Sequence, residues 1–140
     1  MLHVKLCQLE RWNEARRDHA YAYDQALAHL AGVDPVAIAP QARSVYHQYV
    51  VRVADRGSAI EALRERGVAT GVHYPIPLHH QPALAQLHSC MALPAAERLA
   101  ETVLSIPVYP ELTSDQREAV SDALAAYARQ GSGLLVRGLR

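Results

Sequence analysis

Apolar residues recur at three- and four-residue steps through the opening of the chain, where Leu2, Leu6, Leu9, Ala20, Tyr23, Leu27 and Leu30 share one face. The spacing predicts one long helix over residues 2–31. Asn13 and Arg16 interrupt its stripe in the middle turn, with Trp12 displaced to one side. Gly32 supplies a stop, and Asp34-Pro35 reinforces it. Such a helix is longer than a small core needs, so its first half is expected to pack on something else.

Beyond it the period changes. Val45-Tyr-His-Gln-Tyr-Val-Val-Arg-Val53 is dense in β-branched and aromatic residues and reads as a strand. Asp55 and Ser58 are candidate N-caps, and Ser58-Ala-Ile-Glu61 has capping-box spacing, for a helix over 57–66 that Gly67 stops. Val68–Tyr74 reads as a second strand. It runs into Pro75–Pro82, where three prolines in eight residues forbid a regular ladder. Pro94 fits the first position of a helix over 94–105, and 106–109 is a short extended edge. Thr113-Ser-Asp-Gln116 is another capping box, opening a helix over 114–129 with Val120, Leu124 and Tyr127 inward. The 45–53 and 68–74 strands are joined by a helix, so they should run parallel if adjacent, or flank a third strand such as 106–109. The expected fold is α+β, a small sheet flanked by helices. Residues 1–31 are expected to hold the opening helix, 32–130 the domain and 131–140 a tail.

Composition narrows the function. The 140 residues are half hydrophobic and carry 14 basic and 14 acidic side chains, enough for one compact domain. Balanced charge gives no field for nucleic acid or an anionic membrane. No apolar run approaches the ~20 residues of a membrane helix, and the N-terminus turns polar too early for a signal peptide. Cys7 and Cys90 lie far apart and read as free thiols. The expectation is a soluble cytoplasmic domain.

Candidate chemistry concentrates in Thr70–His79. A strand ends there in a proline-stiffened loop presenting His73, Tyr74 and His79, and the prolines limit the entropy lost when the loop is held against a ligand. His and Tyr supply donors, acceptors and flat faces suited to a sugar or an aromatic ring. The competing reading makes Tyr74 core and His73 a satisfied imidazole. His73, His79, His80, His88 and Cys90 also lie within eighteen residues and include zinc-binding types, but their spacing fits no paired-ligand motif. The charges of Arg64, Glu65, Arg66, Glu97, Arg98 and Glu101 read as solvated helix faces.

Five segments taken together carry a resemblance. Arg11–Arg17, Val45–Tyr49, Gly71–His79, Ala96–Ala100 and Leu104–Thr113, in that order, resemble the DegT/StrS family of pyridoxal-phosphate sugar aminotransferases over about residues 5–128. The resemblance implies the fold of aspartate aminotransferase, with this chain similar to the C-terminal small domain of fold-type I pyridoxal-phosphate transferases. It implies transfer of an amino group from glutamate to a keto-sugar nucleotide, in homodimers. It also implies that His73 and Tyr74 line the sugar side of the cleft between two domains, with His47 a further candidate. The resemblance makes the helix of residues 1–31 a linker from a further domain, and 32–130 the small domain.

One departure is decisive for activity. Pyridoxal phosphate chemistry requires a lysine amine, and the one lysine here, Lys5, falls in the opening helix. The family's lysine lies in a larger N-terminal domain, as do the carboxylate facing the pyridine nitrogen and the phosphate-binding turn. The chain alone is therefore expected to hold no cofactor and to need that large domain as a partner. An interaction or dimerisation subunit acting through residues 2–31, and a metal-binding module built on the histidines, are the alternatives.

Overall fold

The computed structural model describes residues 2–84 and 92–137, with side chains through residue 130. The opening stripe folds as two helices, α1 (Leu2–Leu6) and α2 (Leu9–Leu27), rather than one. Between them the Gln8 amide bonds the Lys5 carbonyl at 3.0 Å, a tighter i−3 closure that ends the first helix. No residue of α1 is buried, so no packing holds it in line with α2. The second helix stops before Leu30, and Gly32, at φ +79°, turns the chain away as its position foretold.

The turn leads into an edge strand the pattern did not announce, β1 (Val33–Pro35), where Asp34-Pro35 had read only as a helix stop. Pro35 is tolerated there because it is the last residue of an edge. The expected strand over 45–53 shortens to β2 (Tyr49–Val53). Its first residues are taken by a local turn, in which the Ser44 hydroxyl accepts from the Tyr46 amide at 3.1 Å and Tyr46 sits at φ +45°. In β2, Tyr49, Val51 and Val53 are buried while Arg52 faces out, the period-2 pattern of a half-covered strand.

Helix α3 (Arg56–Arg64) follows. Asp55 is its cap, accepting from the Ser58 amide at 3.0 Å, so the Ser58–Glu61 box is not used. Gly67 lies at φ +74° past its end. Residues 68–74 do not form the expected strand. They meet the sheet at a single bridge, Gly71 opposite Ser105, made by two backbone bonds of 3.0 and 2.8 Å. The prolines from Pro75 onward end the pairing. Two 3-10 turns, Leu78–His80 and Pro82–Leu84, occupy the loop.

Helix α4 (Pro94–Thr102) is three residues shorter than expected, because Val103–Ile106 leaves it as strand β3. The sheet order is β1-β2-β3, antiparallel throughout, with Val51 opposite Leu104. Gly71 pairs on the far side of β3, also antiparallel. Residue 71 and β2 therefore flank a third strand, as the topology argument allowed, though that strand is 103–106. Helix α5 (Ser114–Arg137) runs past the expected end at 129, through Gly131 and into the residues read as a tail. It opens with a reciprocal capping box: the Gln116 amide bonds Thr113 Oγ1 at 3.2 Å and the Thr113 amide bonds Gln116 Oε1 at 3.0 Å.

One core joins these elements. Tyr23 and Leu27 of α2, Ala59 and Leu63 of α3, Leu104 and Ile106 of β3, and Val120, Leu124 and Tyr127 of α5 are buried together. Each fully buried leucine contributes about 1.5–3 kcal/mol against leaving it exposed. The Tyr23 hydroxyl donates to the Pro107 carbonyl at 2.9 Å, tying α2 to the segment that leaves β3.

Candidate functional site

The β3 edge and the segments beside it enclose a groove of about 550 Å³. It is lined by His47, Gln48, Gly67–Gly71, His73, Ser105, Ile106–Tyr109 and the start of α5. Among the described residues of that lining, Arg66 is the one permanently charged side chain, and none is a carboxylate or a lysine. Arg66 is anchored through Nη1, which donates to the Ala62 carbonyl at 3.0 Å.

Two of the three residues singled out in sequence, His47 and His73, line this groove. Tyr74 does not. It is 74 % exposed, so the reading of Tyr74 as core is excluded, and its ring meets His73 edge-on at 5.8 Å. His73 is held by a short polar relay. Its Nδ1 lies 3.3 Å from the Ser105 hydroxyl, which donates to Gln48 Oε1 at 2.8 Å. A Ser105 hydroxyl that donates to Gln48 has a lone pair to offer His73, which favours the tautomer with the proton on Nδ1. Sequence reasoning did not single out Ser105 or Gln48. The available signal was a lone hydroxyl in the otherwise apolar run Val103-Leu-Ser-Ile106, since a buried hydroxyl needs a partner.

The histidine cluster divides. His73 belongs to the groove, His79 and His80 face α4, and His88 and Cys90 lie outside the described residues. Glu97, which had read as part of a solvated face, instead bonds His79 Nε2 at 3.0 Å and the Leu93 amide at 2.9 Å. The Leu93 amide, and then His79, hold its carboxyl below the ordinary range. Lys5 is exposed on α1. Neither it nor any described residue of the groove supplies the amine and pyridine-facing carboxylate that pyridoxal phosphate needs, so these residues do not fit that cofactor. No described helix is long and apolar enough to cross a membrane.

Comparison with known proteins agrees with this architecture. The model of the DegT/DnrJ/EryC1/StrS aminotransferase family matches residues 1–125. A dTDP-3-amino-3,4,6-trideoxy-alpha-D-glucose transaminase of Streptomyces venezuelae is 36% identical over 131 residues, which cover 93% of this chain and 35% of the relative. A "pleiotropic regulatory protein" of Geobacillus stearothermophilus is 39% identical over 133 residues, covering 92% of this chain and 36% of the relative. Among solved structures, S. venezuelae DesV in complex with a ketimine intermediate superimposes with a TM-score of 0.87 at 37% identity, covering 91% of this chain and 34% of that one. The chain thus spans about a third of the length of the relatives it matches.

Proposed function

Since the chain belongs to the DegT/DnrJ/EryC1/StrS aminotransferase family, we propose that it supplies the sugar side of an enzyme that aminates keto-sugar nucleotides with an amino group from glutamate. Residues 32–130 act as the small domain and residues 1–31 as the link to a lysine-bearing domain outside these 140 residues. That domain holds pyridoxal phosphate, and the complete enzyme works as a homodimer. The observation that carries this reading is a groove with binding groups and no cofactor groups: His73, His47 and Arg66 line it, and lysine and carboxylate are absent from its described lining.

The groove residues bind and orient the sugar nucleotide. His73, aimed by Ser105, meets a sugar hydroxyl, and the Arg66 guanidinium suits a phosphate oxygen. Tyr74 stands exposed beside His73, where its ring covers the sugar once the two domains meet. The apolar side chains that α1 leaves uncovered (Leu2 75 %, Val4 70 % and Leu6 56 % exposed) support a role for residues 1–31 as a docking segment.

Cofactor trapping tests the division of labour. The isolated chain, incubated with pyridoxal phosphate and borohydride, should give no adduct beyond that of a control protein exposing one lysine, and should show no glutamate-dependent amination. A saturable adduct at Lys5 with turnover refutes the proposal.

A further inference from the structure

Away from the groove, the turn Leu78–His80 brings two adjacent imidazoles to the first turn of α4. His79 is 7 % exposed, and its Nε2 lies 3.0 Å from Glu97 Oε1. His80 Nε2 lies 3.8 Å from the same oxygen, and the three donor atoms are all within 4.8 Å of one another. Ligands bound tetrahedrally at zinc distances stand roughly 3.3–3.5 Å apart, so the observed separations bracket what a cation requires. The ring centroids are 4.1 Å apart and tilted by 49°.

We propose that His79, His80 and Glu97 form a binding site for a divalent cation of the zinc class, with water completing the coordination. Two neutral imidazoles and a carboxylate are a borderline donor set, suited to zinc above magnesium or calcium. The site is built in advance. Pro75, Pro77 and Pro82 stiffen the loop, and the Leu93 amide donates to Glu97 Oε1, the oxygen that faces both histidines, which fixes the carboxylate in place. The cation replaces the His79–Glu97 hydrogen bond and pins the 75–84 loop to α4.

His80 separates this site from a simple clamp. A His79–Glu97 hydrogen bond holds loop and helix together without it, and His80 has a side chain 53% exposed. In a metal site His80 becomes the third protein ligand.

The test uses the full chain with Cys7→Ser and Cys90→Ser, so that thiols do not bind zinc themselves. Equilibrium dialysis against micromolar zinc should leave one metal per chain, and cobalt in its place should give visible absorption bands. His80→Asn and Glu97→Gln should each weaken retention by at least ~10-fold, the lower end of what loss of even an outer partner does. Metal-free thermal melting of His80→Asn should match the parent, which shows that the protein is folded. Absence of bound zinc in the parent, or retention unchanged by His80→Asn or Glu97→Gln, overturns the proposal. The result is independent of the sugar-binding role proposed for the groove.

Discussion

A Cβ on Gly71 would stand 2.6 Å from Cε1 of His73, so the imidazole occupies space that only a glycine leaves open. The same glycine pairs with Ser105, whose hydroxyl is 3.3 Å from His73 Nδ1. One backbone position thus both anchors the 68–74 segment to the sheet and sets the ring against its hydrogen-bond partner.

Gly71→Ala should therefore displace the His73 ring and separate it from Ser105. The obstructing atoms are a side-chain end, so the ring moves before the backbone does, and the loss of stability should stay near 1 kcal/mol. Changed imidazole resonances of His73 with a urea midpoint lowered by no more than roughly half a molar are the expected pair of observations. Unchanged resonances would mean that the ring does not lie over Gly71.

Acid sensitivity should arise at His19. This buried ring on α2 faces Arg117 of α5 at 3.4 Å, with the Pro110 carbonyl also beside it. Burial first, and the Arg117 guanidinium second, hold its pKa below the ordinary 6.5, despite the opposing influence of Pro110 and Asp18. The unfolded chain then takes up the proton more readily than the folded one. The stability is complete above the unfolded value and falls as pH drops through it, until the lower folded value is reached. The urea midpoint should be lower at pH 5.5 than at 7.5, and His19→Gln should shrink that difference. The comparison stays above the range where the carboxylates titrate. An equal drop in the variant assigns the effect elsewhere.

Helix α1 should be the least protected helix. None of its residues is buried, and Leu2, Val4 and Leu6 face solvent. Amides of residues 2–8 should exchange with deuterium well before those of 13–27, where Asn13, Ala20, Tyr23 and Leu27 are buried. Slow exchange across 2–8 in the isolated chain would show that the stripe already has a cover.

Much of this was legible in the residues. The stops at Gly32 and Gly67, the capping box at Thr113 and the inward face of α5 rest on local chemistry, and local chemistry is what a sequence displays. The split at Cys7-Gln8 was not legible, because the apolar spacing continues across it and only missing tertiary cover distinguishes two helices from one. Residues 68–74 looked like a strand by composition, yet pairing depends on what lies alongside, and only Gly71 meets β3. The site divided in the same way. His73 and His47 stood out as residue types, while Ser105, Gln48 and Glu97 act through contacts from 18 to 57 positions away.

The central claim, that the groove serves the sugar and not the glutamate, is tested most directly by single-turnover rates of the two half-reactions in the complete enzyme carrying His73→Asn. Loss of one oriented hydrogen bond should slow the sugar-nucleotide half-reaction by roughly ten- to a hundred-fold, about 1–3 kcal/mol. The glutamate half-reaction and the melting temperature should change far less. Equal slowing of both half-reactions, in step with a lowered melting temperature, would show that His73 is scaffold and contradict the account.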